Sequence, residues 1–545
     1  MSEYKAQLEA CLLALADEDA DRLQLLLREG RGAWLLCART PPGSRALFLG
    51  DPRSGAVSAL ALCGYSVTVD CEDEQAWLVA ERRAQAHTPG KVRRRAPGDA
   101  QAYALVVAEQ GREHAAPPCE ELVLLCDNRL GYKRSLGRKG EFRVPTPLQY
   151  LTHALRPEQG ERSLAGHRRS LRARGSRVIE SFALYPHRED FSHVVALDAP
   201  LPALSIGPME RKNRFKLLGA RLGLFPLLTP SYALFARSSA AARAPTRLEA
   251  LLESVAGRLG TATPRVETIV ATRGNSAVVH TLDPHWTLHV PLAPKNFPQT
   301  ARHAANLGEL ETRFARFPAP RLLWAGETAG LYASVEQRLP GWTAPQACGD
   351  QPRIARMLRE TGAALTQLCV DPGRVCDEAL FFEQVEVRLR LVMQHAAVPQ
   401  TIRWLEQLLH DSWQRLRGQM LPLCFYHADL RAKHVQVDAD GALLGVLDWG
   451  TAEPVGLPYY DLLQLLCHEI KQEHGLSIGA AWRRLLQGEL RDYEREALES
   501  YRSALHISPA VAEALHRLYP ALVAAMAEKN WDYSRPRWLH RQFQI

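Results

Sequence analysis

The segment 423–462 constrains this chain most strongly, because it sets two aspartates into a strand, turn and strand pattern. A short apolar run before Asp429 predicts a buried strand, and the charged residue itself must be either exposed or used in chemistry. Residues 434–437 alternate and 443–447 are apolar, on either side of the turn sequence Asp-Ala-Asp-Gly. The pattern predicts a hairpin with Asp429 at its entrance and Asp448 at its exit, both opening onto one edge of the sheet.

Two carboxylates placed in this way meet the requirements of phosphoryl transfer. One carboxylate orients the attacking hydroxyl and accepts its proton, while the other holds magnesium against the nucleotide phosphates. The alternative is a surface hairpin with solvated aspartates, since acidic residues favour turns. His427 precedes Asp429 by two residues and Gly450 follows Asp448 by two, which gives the H-x-D and D-x-G patterns of kinase loops. These patterns favour phosphoryl transfer.

These residues resemble the aminoglycoside phosphotransferase and choline kinase-like family, whose members carry H-G-D-L-H-x-x-N followed by a strand and I-D-W. Residues 458–462 match the downstream P-x-Y-D-L of that family. The resemblance implies a bilobal protein-kinase-like fold, ATP and Mg²⁺ as cofactors, and a small-molecule substrate. It also implies that Asp429 is catalytic, that Asp448 binds the metal and that Asp461 braces the catalytic loop.

Two positions depart from the family pattern. The asparagine five residues after the catalytic aspartate is His434 here, and the ATP-binding lysine of the third strand is His289. Asparagine offers magnesium a hard oxygen, whereas imidazole suits softer metals, so His434 is a metal ligand of altered kind. Neutral His289 anchors phosphate less strongly than an ammonium, unless it is protonated or Lys295 reaches in. Arg431 and Lys433 are candidates for neutralising the transferred phosphoryl group, the alternative being that both are merely solvated.

The region before the catalytic segment is predicted to form the nucleotide-binding lobe. Strands are expected at 266–270, 277–282 and 286–290. The turn between the first two contains Gly274, Asn275 and Ser276, which the resemblance places over the phosphates, although a bare hairpin would fit the pattern equally well. The segment 333–341 resembles the strand and hinge whose backbone binds adenine.

A helix predicted at 300–317 should supply the acid that pairs with the ATP-binding lysine. Asn306 lies near that position, and Glu309 is the other candidate. Because the lysine has become His289, loss of the lysine together with its acid would be self-consistent.

The region from about residue 34 to 239 alternates apolar strands with helices, which predicts a parallel sheet with crossover helices. Strands are expected at 46–50, 65–70, 102–107 and 121–126. Such a sheet binds ligands at the carboxyl ends of its strands, and Asp70 at the end of the second strand is well placed for ribose hydroxyls.

This region resembles the class I S-adenosylmethionine-dependent methyltransferases. Gly50 and Gly55 bound the loop after the first strand, Asp70 occupies the ribose-binding position, and the strands at 177–184 and 230–237 would form the antiparallel end of that class. The resemblance implies S-adenosylmethionine as a cofactor. However, the glycine loop carries a proline where backbone must approach the ligand. A retained fold with weakened binding and a working methyltransferase are both open.

Length and composition predict a multidomain protein. The 545 residues are expected to divide into a helical cap at 1–30, a methyltransferase-like domain at 31–240, a kinase-like N-lobe at 241–345 and a helical C-lobe at 346–545. A net charge of +7 is too small to argue for nucleic acid. No apolar window is long enough to span a membrane, and 11 cysteines without a C-x-x-C pair predict free thiols in the cytoplasm. Nothing in the sequence identifies a protein partner.

The fold class predicted is therefore α/β multidomain, with a Rossmann-like parallel sheet followed by a protein-kinase-like α+β domain. The predicted function is ATP-dependent phosphorylation of a small-molecule hydroxyl, of a sugar or envelope precursor, by a protein fused to a methyltransferase-like domain. One alternative is a pseudokinase scaffold with a degenerate nucleotide site, which His289 and His434 favour. The other is a methyltransferase as the only active domain.

Overall fold

The structure is a computed structural model of the chain. It describes residues 31–88, 90–96, 98–99, 101–131, 134–135, 142–143, 160–197, 222–237, 244–272, 276–396, 398–531 and 538–545. The helical cap predicted at 1–30 lies outside the described residues, as do Gly274 and Asn275.

The described strands form one large sheet and three small ones. In chain order they are β1 (Arg45–Leu49), β2 (Ser66–Asp70), β3 (Val92–Arg94), β4 (Tyr103–Glu109), β5 (Cys119–Asp127), β6 (Arg134–Ser135), β7 (Phe142–Arg143), β8 (Arg177–Tyr185), β9 (His193–Ala196), β10 (Ser231–Arg237), β11 (Arg265–Thr272), β12 (Ser276–Leu282), β13 (Trp286–Pro291), β14 (Leu322–Thr328), β15 (Leu331–Gln337), β16 (Trp342–Thr343), β17 (Cys369–Val375), β18 (Met420–Tyr426), β19 (Val435–Val437), β20 (Leu443–Val446) and β21 (Glu453–Gly456).

The described helices lie mostly in the second half of the chain. They are α1 (Gly55–Leu62), α2 (Glu74–His87), α3 (Leu164–Ala173), α4 (Phe225–Leu228), α5 (Arg247–Leu259), α6 (Phe297–Arg313), α7 (Ala344–Ala347), α8 (Gln351–Thr366), α9 (Glu378–Phe381), α10 (Val387–His395), α11 (Pro399–Leu416), α12 (Tyr460–His474), α13 (Ile478–Leu486), α14 (Asp492–Ala504), α15 (Pro509–Trp531) and α16 (Trp538–Phe543). Short 3₁₀ turns include Ala432–His434 and Trp449–Thr451.

The N-terminal part of the large sheet is parallel, as the apolar strand pattern predicts. Neighbouring strands run in the order β3, β2, β1, β4, β5, all parallel. Their side chains are buried on both faces, as Leu47 and Phe48 of β1 illustrate, because layers of packed elements cover each face. β10 and β8 then continue the sheet in antiparallel fashion.

The large sheet does not stop where the chain passes from its first half to its second. β9 pairs with β11, with Val194 opposite Ile269, and β12, β13, β15 and β14 follow. One apolar core extends across this junction and includes both Trp34 and Val290. α5 packs at the same junction, where the Arg247 N–H donates to the Ala38 carbonyl at 3.0 Å. The two predicted domains are thus joined by thirteen strands of continuous sheet.

The segment 423–462 is divided between two small sheets, one of which contains the predicted hairpin. β18, which contains the apolar run before Asp429, pairs with β17 and β21. β19 and β20 form the hairpin, and β16 pairs with β19 as the third strand of that sheet. A loop and a 3₁₀ turn separate β18 from β19. Asp429 therefore follows a strand of one sheet and Asp448 follows a strand of the other, which corrects the expectation that both open onto one edge of a single sheet.

One predicted helix differs in extent from the observed one. The helix expected at 300–317 ends at Arg313, because Phe314 and Phe317 turn into the core against Phe425 and Trp449. Between α9 and α10, residues Phe382–Glu386 form a π-helical turn.

Among the residues that the structure describes, no helix combines the length and the apolar character that crossing a bilayer requires. The ten cysteines in the described part of the chain are free thiols, and most of them are buried.

Candidate active site

The loop between β18 and the following 3₁₀ turn is held by one buried carboxylate. Asp461, in the first turn of α12, accepts the backbone N–H of His427 at 2.7 Å and that of Ala428 at 2.9 Å. Burial raises the pKa of Asp461 to about 6. Ala428 has a φ of 69°, in the left-handed region. The brace that the resemblance implies is therefore present as two hydrogen bonds that fix an unfavourable backbone conformation.

Replacing Asp461 with asparagine should destabilise the protein by about 1–3 kcal/mol, because the amide nitrogen would face a buried N–H donor and leave it unpaired. Denaturant unfolding of the Asp461→Asn variant measures this loss. Asp440→Asn, at an exposed turn position, is the matched control and should change stability by less than about 0.5 kcal/mol. Equal stability of the two variants would contradict the bracing role.

Asp429 lies at the base of this loop and is only 7% exposed. Burial raises its pKa, an effect that the contacting guanidinium of Arg431 opposes. Its backbone N–H donates to His427 Nδ1 at 3.3 Å, and His427 Nε2 in turn donates to the Leu447 carbonyl at 2.7 Å. Lys433 is exposed on the following turn. A rigidly held carboxylate with a raised pKa suits a general base.

His434 lies between the two aspartates. Its Nδ1 is 2.8 Å from the Asp429 carbonyl, which can only accept, so the ring proton is on Nδ1. Burial lowers the pKa of His434 to about 3, so that the ring is neutral at pH 7. Nε2 therefore carries a lone pair, has no hydrogen-bond partner among the described residues and lies 3.4 Å from Asp448 Oδ2. Two electron-pair donors that face each other in this way fit a cation between them.

The Asp448 side chain is 54% exposed to solvent. Its φ of 65° is also left-handed, which is unusual for a residue other than glycine. Partial burial raises its pKa, but the nearby imidazoles, His434 first, lower the pKa below its ordinary value overall. Asp448 is thus ionised. Its carboxylate lies near the imidazole of His434, whose other nitrogen contacts the backbone carbonyl of Asp429.

The predicted position of the ATP-binding lysine holds a cluster that the sequence analysis did not identify. His289 Nε2 is 3.3 Å from Glu336 Oε1, and His303 Nε2 is 2.9 Å from Glu336 Oε2. These residues come from β13, α6 and β15. The imidazole of His289 lowers the pKa of Glu336 to about 2 although burial alone would raise it.

The residues expected to pair with position 289 have other partners. Asn306 donates from Nδ2 to the Trp449 carbonyl at 2.8 Å, which ties α6 to the loop of Asp448. Glu309 pairs with Arg313 on the surface. The expectation that Asn306 or Glu309 occupies the acid's place is therefore wrong, because the acid comes from β15. The sequence signal was one acidic residue among the buried residues of β15.

Of the three residues predicted to lie over the phosphates, the structure describes one. Ser276 begins β12 opposite Pro291 of β13. In the predicted hinge, the N–H of Gln337 donates to the Arg321 carbonyl at 2.9 Å and that of Arg338 to the His285 carbonyl at 3.2 Å. These two N–H groups are already used within the protein.

The residues predicted to bind S-adenosylmethionine contact protein side chains. Asp70 Oδ2 is 3.1 Å from a guanidinium nitrogen of Arg95. Gly50 abuts Glu109, whose Oε2 is 2.6 Å from where a Cβ on this glycine would lie. The same carboxylate accepts the N–H of Asp51 at 3.0 Å. Gly55 is the first residue of α1. The approach to the glycine loop is therefore filled by Glu109, which does not fit this cofactor.

An ionic cluster extends from Glu109 along the carboxyl edge of the parallel strands. Arg188 donates to Glu109 Oε1 at 2.8 Å and to Asp127 Oδ1 at 3.2 Å, and His187 Nε2 is 3.1 Å from Asp127 Oδ1. Burial alone would raise the pKa of Asp127, but the positive charge of Arg188 outweighs this effect and holds the pKa below its ordinary value. The carboxylate is therefore ionised.

Replacing Arg188 with methionine should destabilise the protein by about 3 kcal/mol, since two partly buried carboxylates would lose their cation. Arg53→Met is the control, because Arg53 pairs with Asp51 at the surface and such pairs contribute less than about 1 kcal/mol. Thermal or denaturant unfolding of both variants measures the difference. A loss no larger for Arg188→Met than for the control would show that the cluster does not stabilise the fold.

The comparison with protein families locates the relationship in the second half of the chain. Residues 267–504 match the family model APH, described as a phosphotransferase enzyme family. The C-terminal half thus matches the APH phosphotransferase family. The matched residues, from β11 to the end of α14, are termed the APH domain below. They include Asp429 and Asp448, and they form an antiparallel sheet followed by a mainly helical part.

Solved structures resemble the chain at low sequence identity. Aminoglycoside phosphotransferase APH(3'')-Id from Streptomyces rimosus is 18% identical, with 51% of this chain and 98% of that chain covered and a TM-score of 0.32. Macrolide 2'-phosphotransferase type I is 18% identical over 53% and 92%, with a TM-score of 0.35. WbdD, solved with the kinase inhibitor LY294002, is 13% identical over 94% and 89%, with a TM-score of 0.24. No curated protein matches the sequence.

Proposed function

We propose that the APH domain transfers a phosphoryl group from ATP, with Mg²⁺, to a hydroxyl of a small molecule. The observation that carries the proposal is that one imidazole, that of His434, contacts the backbone carbonyl of Asp429 through Nδ1 and lies 3.4 Å from the Asp448 carboxylate at Nε2. A buried base and an ionised, exposed metal ligand are thereby held near each other. A solvated surface hairpin would have no reason to bury one acid and strain the backbone of the other.

Asp448 and His434 are the residues that would hold the divalent cation. The Asp448 carboxylate supplies negative charge, and the bare Nε2 of His434 supplies a lone pair 3.4 Å away. The cation supplies neutralisation of the phosphate charges when it is bound. Imidazole is a softer ligand than the asparagine oxygen usual in the family, so Mn²⁺ is expected to be tolerated well at this position.

Asp429 would accept the proton that the acceptor hydroxyl releases as its oxygen bonds to the γ-phosphorus and ADP leaves. Burial raises the pKa of this carboxylate, which makes it a stronger base, while the positive charge of Arg431 favours its ionised form. Lys433, exposed on the same turn, is proposed to neutralise the transferred group. Ser276, with Gly274 and Asn275 before it, is proposed to cover the phosphates.

The alternatives receive less support from the described residues. A pseudokinase has no need for a base, a metal ligand and a brace in one loop, and His434 remains able to bind a metal. A methyltransferase as the only active domain is disfavoured because Glu109 fills the glycine loop and Arg95 engages Asp70. For the acceptor, a hydroxyl of a sugar or envelope precursor remains our proposal.

The test is ADP formation from MgATP in the presence of single hydroxylated compounds, including free sugars, sugar phosphates and aminoglycosides, followed by ³¹P NMR of the product. The proposal expects ADP release that depends on one acceptor class and a new phosphomonoester signal. ATP binding without transfer to any acceptor in a broad panel would favour the pseudokinase.

A further inference from the structure

We propose that His289, His303 and Glu336 form a binding site for a divalent transition metal, for which zinc is the best fit. We call these residues the His₂Glu cluster. One ligand atom from each residue lies within 4.8 Å of the other two. The three side chains project from β13, α6 and β15, so the site is built on regular secondary structure rather than on a loop.

The ligand atoms of the cluster are close enough to converge on one zinc ion. Ligands at 2.0–2.1 Å from a tetrahedral zinc lie about 3.3 Å from one another. His289 Nε2 is 3.3 Å from Glu336 Oε1 and His303 Nε2 is 2.9 Å from Glu336 Oε2, so each imidazole is near this spacing from a different oxygen of the carboxylate. The two rings lie close together, with centroids 4.3 Å apart and planes inclined by 44°. Small side-chain adjustments would therefore suffice to admit the ion.

The donor set selects the kind of metal. Two imidazoles and one carboxylate are ligands that zinc and other late transition metals prefer, whereas magnesium and calcium prefer oxygen alone. Three protein ligands leave a fourth coordination position open, as in zinc sites that bind a further ligand. His303 and Glu336 have side chains that are 4% exposed, while that of His289 is 21% exposed. The open position is therefore expected on the side of His289.

The charge of the cluster gives the metal a role, which rests on the proposed function. Without a metal and with both imidazoles neutral, the carboxylate of Glu336 gives the cluster a net charge of about −1. If one imidazole is protonated, the cluster is neutral. With a dication the cluster carries about one net positive charge, which equals the charge of the lysine that His289 replaces. Asn306, three residues after His303 on α6, donates to the carbonyl of Trp449, the residue next to Asp448, so the cluster lies near the other proposed metal ligand. Metal-loaded, the cluster would attract the nucleotide phosphates.

The alternative is a purely hydrogen-bonded triad in which each imidazole donates Nε2–H to Glu336. Zinc binding by the full chain separates the two. The protein is dialysed against a chelator and then titrated with Zn²⁺ alone in competition with a chromophoric chelator. We expect one Zn²⁺ per chain bound with submicromolar affinity at the His₂Glu cluster, any zinc at Asp448 and His434 being weaker and lost in Asp448→Asn, and a visible absorption band of tetrahedral Co²⁺ when cobalt replaces zinc.

Substitutions within the His₂Glu cluster should weaken zinc binding, whereas substitutions of nearby residues outside it should not. His303→Gln and Glu336→Gln should each weaken zinc binding at least 100-fold. His280→Gln, which changes a half-buried histidine on the neighbouring strand β12, and Asp448→Asn should both retain it. His289→Lys provides a second line of evidence. Because it places the family's lysine beside Glu336, this variant should keep the fold, as judged by circular dichroism. It should nevertheless lose zinc binding.

Absence of stoichiometric zinc binding in the wild type would overturn the proposal, as would unchanged zinc affinity in folded His289→Lys. Because no nucleotide is present, these results do not depend on the phosphotransferase activity. ATP affinity is measured separately with and without zinc. Tighter ATP binding on zinc loading supports the phosphate-anchoring role, and equal affinities would refute that role while leaving the metal site established.

Discussion

Replacing Asp429 with asparagine is expected to lower kcat for phosphoryl transfer by roughly 10²–10⁴-fold, the contribution of a positioned general base. Asparagine keeps the size of the side chain but cannot accept the hydroxyl proton. Nucleotide affinity should change little, because the buried carboxylate faces the acceptor hydroxyl in the proposed mechanism. The measurement is the rate of ADP formation at saturating MgATP with the acceptor that the screen identifies.

The pH dependence of the rate provides a second readout for Asp429. This acid acts only when ionised, and burial raises its pKa. Wild-type activity should therefore be lost as pH falls through that raised pKa and retained above it, while the residual activity of Asp429→Asn should lack this step. Asp440→Asn, at an exposed turn position, should behave as the wild type does. A variant at position 429 that keeps more than a tenth of the wild-type rate would exclude the base.

Replacing Asp448 with asparagine is expected to reduce kcat by roughly 10²–10³-fold, the usual effect of removing one group that stabilises developing charge. The amide retains an oxygen but loses the negative charge that attracts the cation. The Mg²⁺ concentration for half-maximal activity should rise as well, because His434 Nε2 would remain the only strong donor at that point. Rates measured across a magnesium titration give both quantities.

The control for Asp448 is Asp492→Asn, which changes a fully exposed carboxylate in the first turn of α14. It should leave both the rate and the magnesium requirement unchanged. Mn²⁺ should restore part of the activity of Asp448→Asn, since it accepts imidazole more readily than magnesium does. Identical magnesium curves for wild type and Asp448→Asn would show that the metal binds elsewhere.

The sequence predicted those parts of the site that depend on local pattern. The loop with Asp429, the strands that flank it and the brace by Asp461 lie within one segment of the chain, and motif spacing identified them. Alternating or apolar runs also predicted β11, β12 and β13 within two residues. The pairing of β18 with β17 and β21 was missed because strand partners distant in sequence leave no trace in a single sequence.

The His₂Glu cluster was missed for the same reason. Position 289 was identified as the lysine site, but its true partners come from a helix face and from a strand more than forty residues later. The junction between β9 and β11 was equally hidden, since the sequence near residue 240 reads as a linker and gives no sign that the sheet continues across it. Tertiary contacts, rather than local propensity, decided each of these features.

In the N-terminal half the strand pattern predicted the strands, whereas the described loops do not support the predicted cofactor. Apolar runs predicted the parallel strands, but the ends of those strands carry Glu109 and Asp127, whose charges Arg188 neutralises. Asp70, the strand-end acid predicted to bind ribose hydroxyls, lies 3.1 Å from a guanidinium nitrogen of Arg95. Only the geometry of the loops distinguishes an acid that binds a ligand from one that forms an ion pair.

Calorimetric titration of ATP into the full chain tests the central claim most directly, because phosphotransfer requires a nucleotide that binds with a divalent cation at Asp448. The titration uses zinc-loaded protein with Mg²⁺ present, and again with Mg²⁺ removed. One ATP bound per chain, with binding that weakens at least tenfold without Mg²⁺ and in Asp448→Asn, is the predicted result. A folded wild-type protein that shows no ATP binding with any of Mg²⁺, Mn²⁺ or Zn²⁺ would contradict the account.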